Sequence, residues 1–321
     1  MKIKSTIIAA AVASLFSVTA QASVIWGNSA SGGNVNLEAF DSTTGLLVPG
    51  QQFLAPNLIA RSDNGRGVAV LGNDIYYTTA NSGNIYKTNA ITHSDLGIIV
   101  DIGFGGIFKG IANIATDGTF LYATDYQAVN GVINKYTTSG VFSGSITLTG
   151  PDAIGASSRD GFEVQNNPLV AGGATTFIAN RYDGGFGPTH GGIIGAYDVY
   201  DSNGVEIISS FITPNDQGVS GATGIAFDGT NYFVSDISND RLLEYSGLGV
   251  FMTSIDLSGN PNPFTGRLLE DLSAVGNTID NPPPIPEPET YALFMVGLGL
   301  MGFIALSKRR TPIHEGLENY S

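Results

Sequence analysis

Two stretches of this chain overlay with matching spacing, and that repetition constrains the fold more than any other feature of the sequence. GIANIATDGTFLYATDYQAVNGVINKYTTSGVFSGSI, from Gly110, lies over GIAFDGTNYFVSDISNDRLLEYSGLGVFMTSI, from Gly224. Asp117 to Asp125 and Asp228 to Asp236 are both eight residues, and Tyr136 to Phe142 and Tyr245 to Phe251 are both six. A weaker copy starts at Gly67, and a stretched one runs from Asp160 through Phe211. Each copy holds short β-branched or aromatic runs separated by turn residues, and Asp117-Gly118, Asn130-Gly131, Asn203-Gly204 and Asp228-Gly229 read as type I′ hairpin turns. A repeating unit of 35 to 55 residues with four short strands is the pattern of a β-propeller blade. The expected fold is therefore all-β, a propeller.

The two ends of the body complete the count. The start, VIWGN, NVNLEAFDSTTGLL and QQFLA, has strands without a leading inner strand, whereas LLEDLSAVG, from Leu268 to Gly276, has such a strand without followers. Joined, they make one blade. Inner strands then fall near Gly67, Gly110, Asp160, Gly224 and Asp271, which predicts five blades, with six as the alternative because residues 160 to 215 are irregular. The G-I-A-x-D-G-T-x-x-Y-[VA]-[ST]-D pattern of the repeat resembles the NHL and SMP-type propeller families over about half of the body.

Both termini read as export signals. Lys2 and Lys4, the apolar run Ile7 to Val18 and Ala20-Gln21-Ala22 predict a signal peptide over residues 1–22, cut before Ser23. The body is expected over 23–280. Beyond it come a Pro-rich linker, 281–290, then an uncharged apolar segment, 291–307, and a basic cytoplasmic tail, 308–321. As a helix the apolar segment would measure about 25 Å, just enough to serve as a transmembrane helix in a hydrocarbon core of about 30 Å. Lys308, Arg309 and Arg310 would stop it on the cytoplasmic side. Gly297, Gly299 and Gly302 spell G-x-G-x-x-G inside it, but the strand and βαβ unit that a dinucleotide fingerprint requires are missing.

The order of Pro286-Glu287-Pro288, short apolar helix and Arg-rich end resembles the PEP-CTERM sorting signal of exported proteins of Gram-negative bacteria. The resemblance implies recognition by exosortase, a membrane-embedded transpeptidase-like enzyme, in bacteria that make exopolysaccharide and form biofilm or floc. It implies an inner-membrane intermediate and then a place at the cell surface or outside the cell. The chain departs from the usual pattern by running on for eleven residues, Thr311 to Ser321.

Residues 23–280 carry 24 acids against 9 bases, a net charge of −15, which argues against nucleic acid and anionic lipid as partners. Cysteine is absent, which excludes disulfides, thiolate catalysis and Cys metal sites. Asp125 and Asp236 end equivalent strands and, with Asp240, are the candidate ligand or metal residues. Asp125 and Asp236 could line the axial channel or bind a cation, or simply accept hydrogen bonds from turn N–H groups. Asp236, Asn239 and Asp240 are spaced closely enough to offer oxygens to Ca²⁺, or they form a solvated turn. Asp117 and Asp228 read as turn formers. Neighbours Glu270 and Asp271 should point to opposite faces of their strand, one buried and one solvated. His93 and His190 lie in separate loops, so no His-based zinc site or catalytic triad is predicted. The loop Tyr182 to Gly192, with Phe186 and His190, reads either as a binding lip or as an insertion. Two functional classes stay open: a non-enzymatic propeller binding polysaccharide or surface proteins, and a metal-dependent hydrolase or lyase of the lactonase kind.

Overall fold

A computed structural model describes residues 22–29, 36–56, 65–79, 82–102, 111–125, 131–151, 161–180, 195–219, 222–260 and 268–275. The chain divides into two units, 1–280 and 281–321, and the described residues all belong to the first. The predicted signal peptide, linker, transmembrane helix and basic tail, with Pro286, Glu287, Pro288, Lys308, Arg309 and Arg310, lie outside them, as do Ala20 and the loop 182–192. Among the described residues no helix is long and apolar enough to cross a membrane.

The described body is built from twenty strands. They are β1 (Val24–Ser29), β2 (Asn36–Asp41), β3 (Leu47–Leu54), β4 (Gly65–Leu71), β5 (Asp74–Thr79), β6 (Asn84–Asn89) and β7 (Asp95–Asp101). Next come β8 (Ile111–Thr116), β9 (Phe120–Asp125), β10 (Val132–Thr137), β11 (Phe142–Thr147), β12 (Phe162–Gln165), β13 (Thr176–Asn180) and β14 (Tyr197–Asp201). The last are β15 (Glu206–Ile212), β16 (Ala222–Phe227), β17 (Asn231–Asp236), β18 (Arg241–Ser246), β19 (Phe251–Asp256) and β20 (Leu269–Val275). They form five four-stranded antiparallel sheets: β4 to β7, β8 to β11, β12 to β15, β16 to β19, and the composite β20-β1-β2-β3. Five blades, with one shared between the two ends of the body, is what the repeat predicted. The irregular stretch 160–215 supplies one blade, not two.

Five hydrophobic clusters hold the ring, one at each blade-to-blade junction. Ile25 and Phe40 of the composite blade meet Phe233 and Leu242 of β17 and β18, and Trp26 and Leu37 meet Val68, Ile75 and Tyr77 of the β4 to β7 blade. Ile85 packs with Ile114 and Leu121, Ile133 with Phe162 and Phe177, and Tyr197 with Ile225 and Tyr232. Inner strands are sandwiched by neighbours on both sides, so β8 and β16 are buried at every position. The outermost strands alternate; β11 is largely exposed.

The Asp-Gly turns differ from the type I′ expectation. Only the glycine takes positive φ, at Gly118 (82°) and Gly229 (96°). The aspartate instead spans a four-residue loop: Asp117 Oδ1 accepts the Thr119 and Phe120 N–H groups at 2.9 and 2.7 Å, and Asp228 Oδ1 accepts those of Thr230 and Asn231, both at 2.8 Å. A side chain that caps two amides removes the need for a second left-handed residue.

The hairpin between the third and fourth strand of each blade butts against the outer strand of the preceding blade. Gly140, φ 90°, lies on the Ile99 carbonyl of β7, and Gly204, φ 84°, on Thr147 of β11. The Thr149 N–H also donates to the Gly204 carbonyl at 2.7 Å. In the β6–β7 hairpin the left-handed residue is His93, φ 57°, whose ring stacks on Phe53 of β3 at 3.9 Å. Because a Cβ at position 140 would collide with backbone and not with a movable side chain, Gly140→Ala should cost about 1–3 kcal/mol. A thermal melt of the variant against the parent checks this, and an unchanged midpoint would contradict the close approach.

Candidate functional site

A set of buried polar groups lies where the composite blade meets β4. Residues paired across antiparallel strands share a face, and Asn28 of β1 pairs with Asp271 of β20. Both side chains reach β4. Asp271 Oδ2 accepts the Val68 N–H at 2.7 Å and Ser273 Oγ accepts the Val70 N–H at 3.0 Å. Asn28 Nδ2 donates to the Gly67 and Thr78 carbonyls at 2.9 and 3.2 Å. Glu270 also meets β4, where it pairs with Arg66 at 2.9 Å. A bulge between the pairs Asn28–Asp271 and Ser29–Leu269 leaves it as the extra residue, so the expected opposite facing of Glu270 and Asp271 does not hold, and Glu270 is mostly buried instead of solvated. The seam that closes the ring is thus fastened by side chains from both ends of the body onto one strand.

A repeated bulge makes room for this. Opposite the single residue Thr78 the first strand of its blade carries two, Arg66 and Gly67, and opposite Ser235 it carries Thr223 and Gly224. The surplus amide is caught by a hydroxyl from the second strand: Gly67 N–H donates to Thr78 Oγ1 at 2.7 Å and Gly224 N–H to Ser235 Oγ at 2.8 Å. On the far side of the composite blade, Thr223 Oγ1 donates to the Leu269 carbonyl at 3.1 Å.

Asp271 is completely buried. Burial pushes its carboxyl well above the usual carboxylate range, and the negative charge of buried Glu163 adds to the effect. The Val68 N–H and the Asn113 side chain pull the other way. Its contacts across the seam are those of a fastener.

The predicted site residues fall elsewhere. Asp236, at the end of β17, is buried and committed: Arg241 Nε lies 2.7 Å from its Oδ2, Asn239 Nδ2 donates to the same oxygen at 2.8 Å, and the Ser238 N–H donates to Oδ1 at 3.2 Å. A cation there would have to displace a guanidinium. Asp240 sits in the same β17–β18 turn with φ 46°. Asp125 ends β9, a different blade, and its side chain lies outside the described residues. Among the described residues no three His, Asp or Glu side chains gather as for a metal. Sequence reasoning singled out the strand-end acids and passed over Asn28 and Ser273; the signal available was a polar side chain inside each of two otherwise apolar inner runs, VIWGN and LSAVG.

Since Asp271 titrates above its unfolded value of about 3.9, the folded state holds the proton more tightly. Its contribution to stability is therefore full in acid and declines as pH rises through the folded pKa. Asp271→Asn, which keeps an acceptor for Val68, should remove that decline, visible as the difference between parent and variant stability across pH 4 to 8. Asp271→Ala, which orphans the Val68 N–H, should cost about 1–3 kcal/mol in acid, with a difference from the parent that narrows as pH rises, because it too lacks the titrating carboxyl. Parallel pH profiles for parent and Asp271→Asn would contradict the assignment.

Residues 284–310 match the family model described as the PEP-CTERM protein-sorting motif. No curated protein matches the chain. Among solved structures, a chain of a nidogen/laminin complex is 11% identical with a TM-score of 0.48, covering 78% of this chain and 98% of its own. Glutaminyl cyclase of Myxococcus xanthus is 13% identical with a TM-score of 0.44, covering 66% and 91%. Hydrazine synthase of Kuenenia stuttgartiensis is 11% identical with a TM-score of 0.40, covering 76% and 90%. Similarity at this level carries nothing about what the chain binds or catalyses. The motif implies exosortase as processing partner and an exported, transiently membrane-anchored chain. The protein therefore carries a PEP-CTERM sorting motif behind a five-bladed β-propeller.

Proposed function

We propose that the propeller is the cargo of this sorting signal: a non-enzymatic module delivered to the cell surface or extracellular matrix, where it binds polysaccharide or other surface proteins. In this reading residues 1–22 are removed on export and 291–307 span the inner membrane as a helix. Lys308 to Arg310 hold the cytoplasmic end until exosortase acts at or near Pro286-Glu287-Pro288. The observation that carries the reading is the spacing between the sorting motif and the fold. β20 ends at Val275, eleven residues before Pro286, so the tail can be cut there without removing a strand of the ring.

The use made of the acids supports a scaffold. Asp117, Asp228 and Asp201 cap their own turns, Asp236 pairs with Arg241, and Asp271 fastens the seam. Loops on such a rigid frame are free to vary, and a binding face is built from them.

In a host with an exosortase, the parent chain should lose its C-terminal segment, seen as a lower mass in the released or surface fraction. Replacing Pro286, Glu287 and Pro288 together by Ala should leave full-length protein in the membrane fraction. Equal processing of the two would overturn the role given to the motif. Retention of the producing cells' own exopolysaccharide by the processed propeller, and not by an unrelated propeller of similar charge, tests the binding half.

A further inference from the structure

Just before β1 begins, one residue is tied at three points. The Ser23 N–H donates to Ser42 Oγ at 2.9 Å, the Ser42 N–H donates back to the Ser23 carbonyl at 2.9 Å, and Ser23 Oγ donates to Asp228 Oδ2 at 2.8 Å. Chain ends commonly fray unless something holds them. Here the hold crosses a blade junction, because Ser42 follows β2 of the composite blade and Asp228 lies in the β16–β17 turn. Oδ1 of that carboxylate is occupied by the Thr230 and Asn231 amides, which leaves Oδ2 turned to Ser23. Among the described residues no lysine or arginine pairs with Asp228: Arg66, Lys87 and Arg241 are held by Glu270, Asp74 and Asp236, and Lys135 lies over the Phe120 ring.

With Ala22 attached, the Ser23 nitrogen is a neutral amide. Removal of residues 1–22 turns it into an α-ammonium group at the same place, since the Ser23 carbonyl and hydroxyl are held independently of Ala22. The nitrogen and Oγ of one serine lie about 3–4 Å apart by covalent geometry, which sets the new charge within about 7 Å of Asp228 Oδ2. We propose that Asp228 and Ser42 form a docking site for the free α-amino group of the mature chain, so that cutting the leader adds an ion pair between the composite blade and the β16–β19 blade. The precursor lacks this tie and the mature chain has it. The inference rests on the removal of residues 1–22 proposed above. The acids around the group are Asp228, Asp41, which pairs with Val24 across β1 and β2, and Glu244, whose carboxyl feels the charge of Asp228. All favour the charged amine. Its contribution to stability is therefore full below the ordinary α-amino range of about 7.7–8.0 and is lost as pH rises through the raised folded value.

The test compares, in detergent, the mature chain from Ser23 to its C-terminus with the same chain beginning at Gln21, in which Ser23 keeps its amide and the ammonium lies two residues away. Each is made with Asp228 and with Asp228→Asn, which keeps an acceptor for the Thr230 and Asn231 amides but carries no charge. At pH 6.5 the chain beginning at Ser23 should melt about 2 °C above the one beginning at Gln21. That difference should vanish at pH 10, and at both pH values in Asp228→Asn. Equal midpoints at pH 6.5, or a difference that survives at pH 10 or in Asp228→Asn, overturns the docked ammonium and leaves leader removal standing. N-terminal sequencing of the exported protein tests the premise separately: a chain that begins at Ser23 supports it, and one that begins elsewhere overturns both.

Discussion

The pairing of β1 with β20 is the contact on which the rest of this structure depends. Four blades are local meanders whose strands follow one another in sequence; the fifth joins residues about 250 positions apart, Val24 with Val275. Closing so long a loop costs entropy that local hairpins do not incur, and the molecule gathers its compensation at that seam. Asp271, Ser273 and Asn28 bond to β4, Arg66 pairs with Glu270, Trp26 and Leu37 pack on Val68 and Tyr77, and Phe53 stacks on His93. Once the ring is shut, the inner strands β8, β12 and β16 are buried at every position, polar residues included.

The seam also places the sorting tail. The strand that closes the ring is the last one before the Pro-rich linker, so the ring closes only when the whole body is available to fold, and the tail begins directly beyond the closing strand. Delivery signal and fold are adjacent without overlap. Acids serve the architecture: the buried Asp271 carboxyl and the Asp236–Arg241 pair each satisfy groups that burial would otherwise leave bare.

Much of this was legible in the sequence. Equal offsets between the copies at Gly110 and Gly224, and the unpartnered strand LLEDLSAVG at the far end, were enough for five blades and a composite fifth, since a strand pattern without neighbours must find them elsewhere. Strand alternation misplaced Glu270, because a bulge beside Asp271 interrupts the period of two and both side chains meet β4. What could not be read was anything set by contact between blades. Asp-Gly gave a turn but not its type, because whether Asp117 caps amides or adopts positive φ depends on the loop length fixed by strand register. Nothing in the local sequence says that Asn28 meets Gly67, or that His93 takes the place glycine holds in the other hairpins, because these partners lie in the adjoining blade. The strand-end position of Asp236 was legible; its claim by Arg241 and Asn239, five and three residues on, was not.

The account turns on ring closure by the C-terminal strand, and a comparison of two truncations tests it most directly. A chain ending at Asp280 keeps β20, whereas one ending at Asn260 lacks it and keeps every other strand. In denaturant, the first should unfold in one steep transition and the second should show a shallow, early one, with the core of the composite blade open to water. If both unfolded with the same midpoint and steepness, the pairing of β1 with β20 would not be what holds the propeller together.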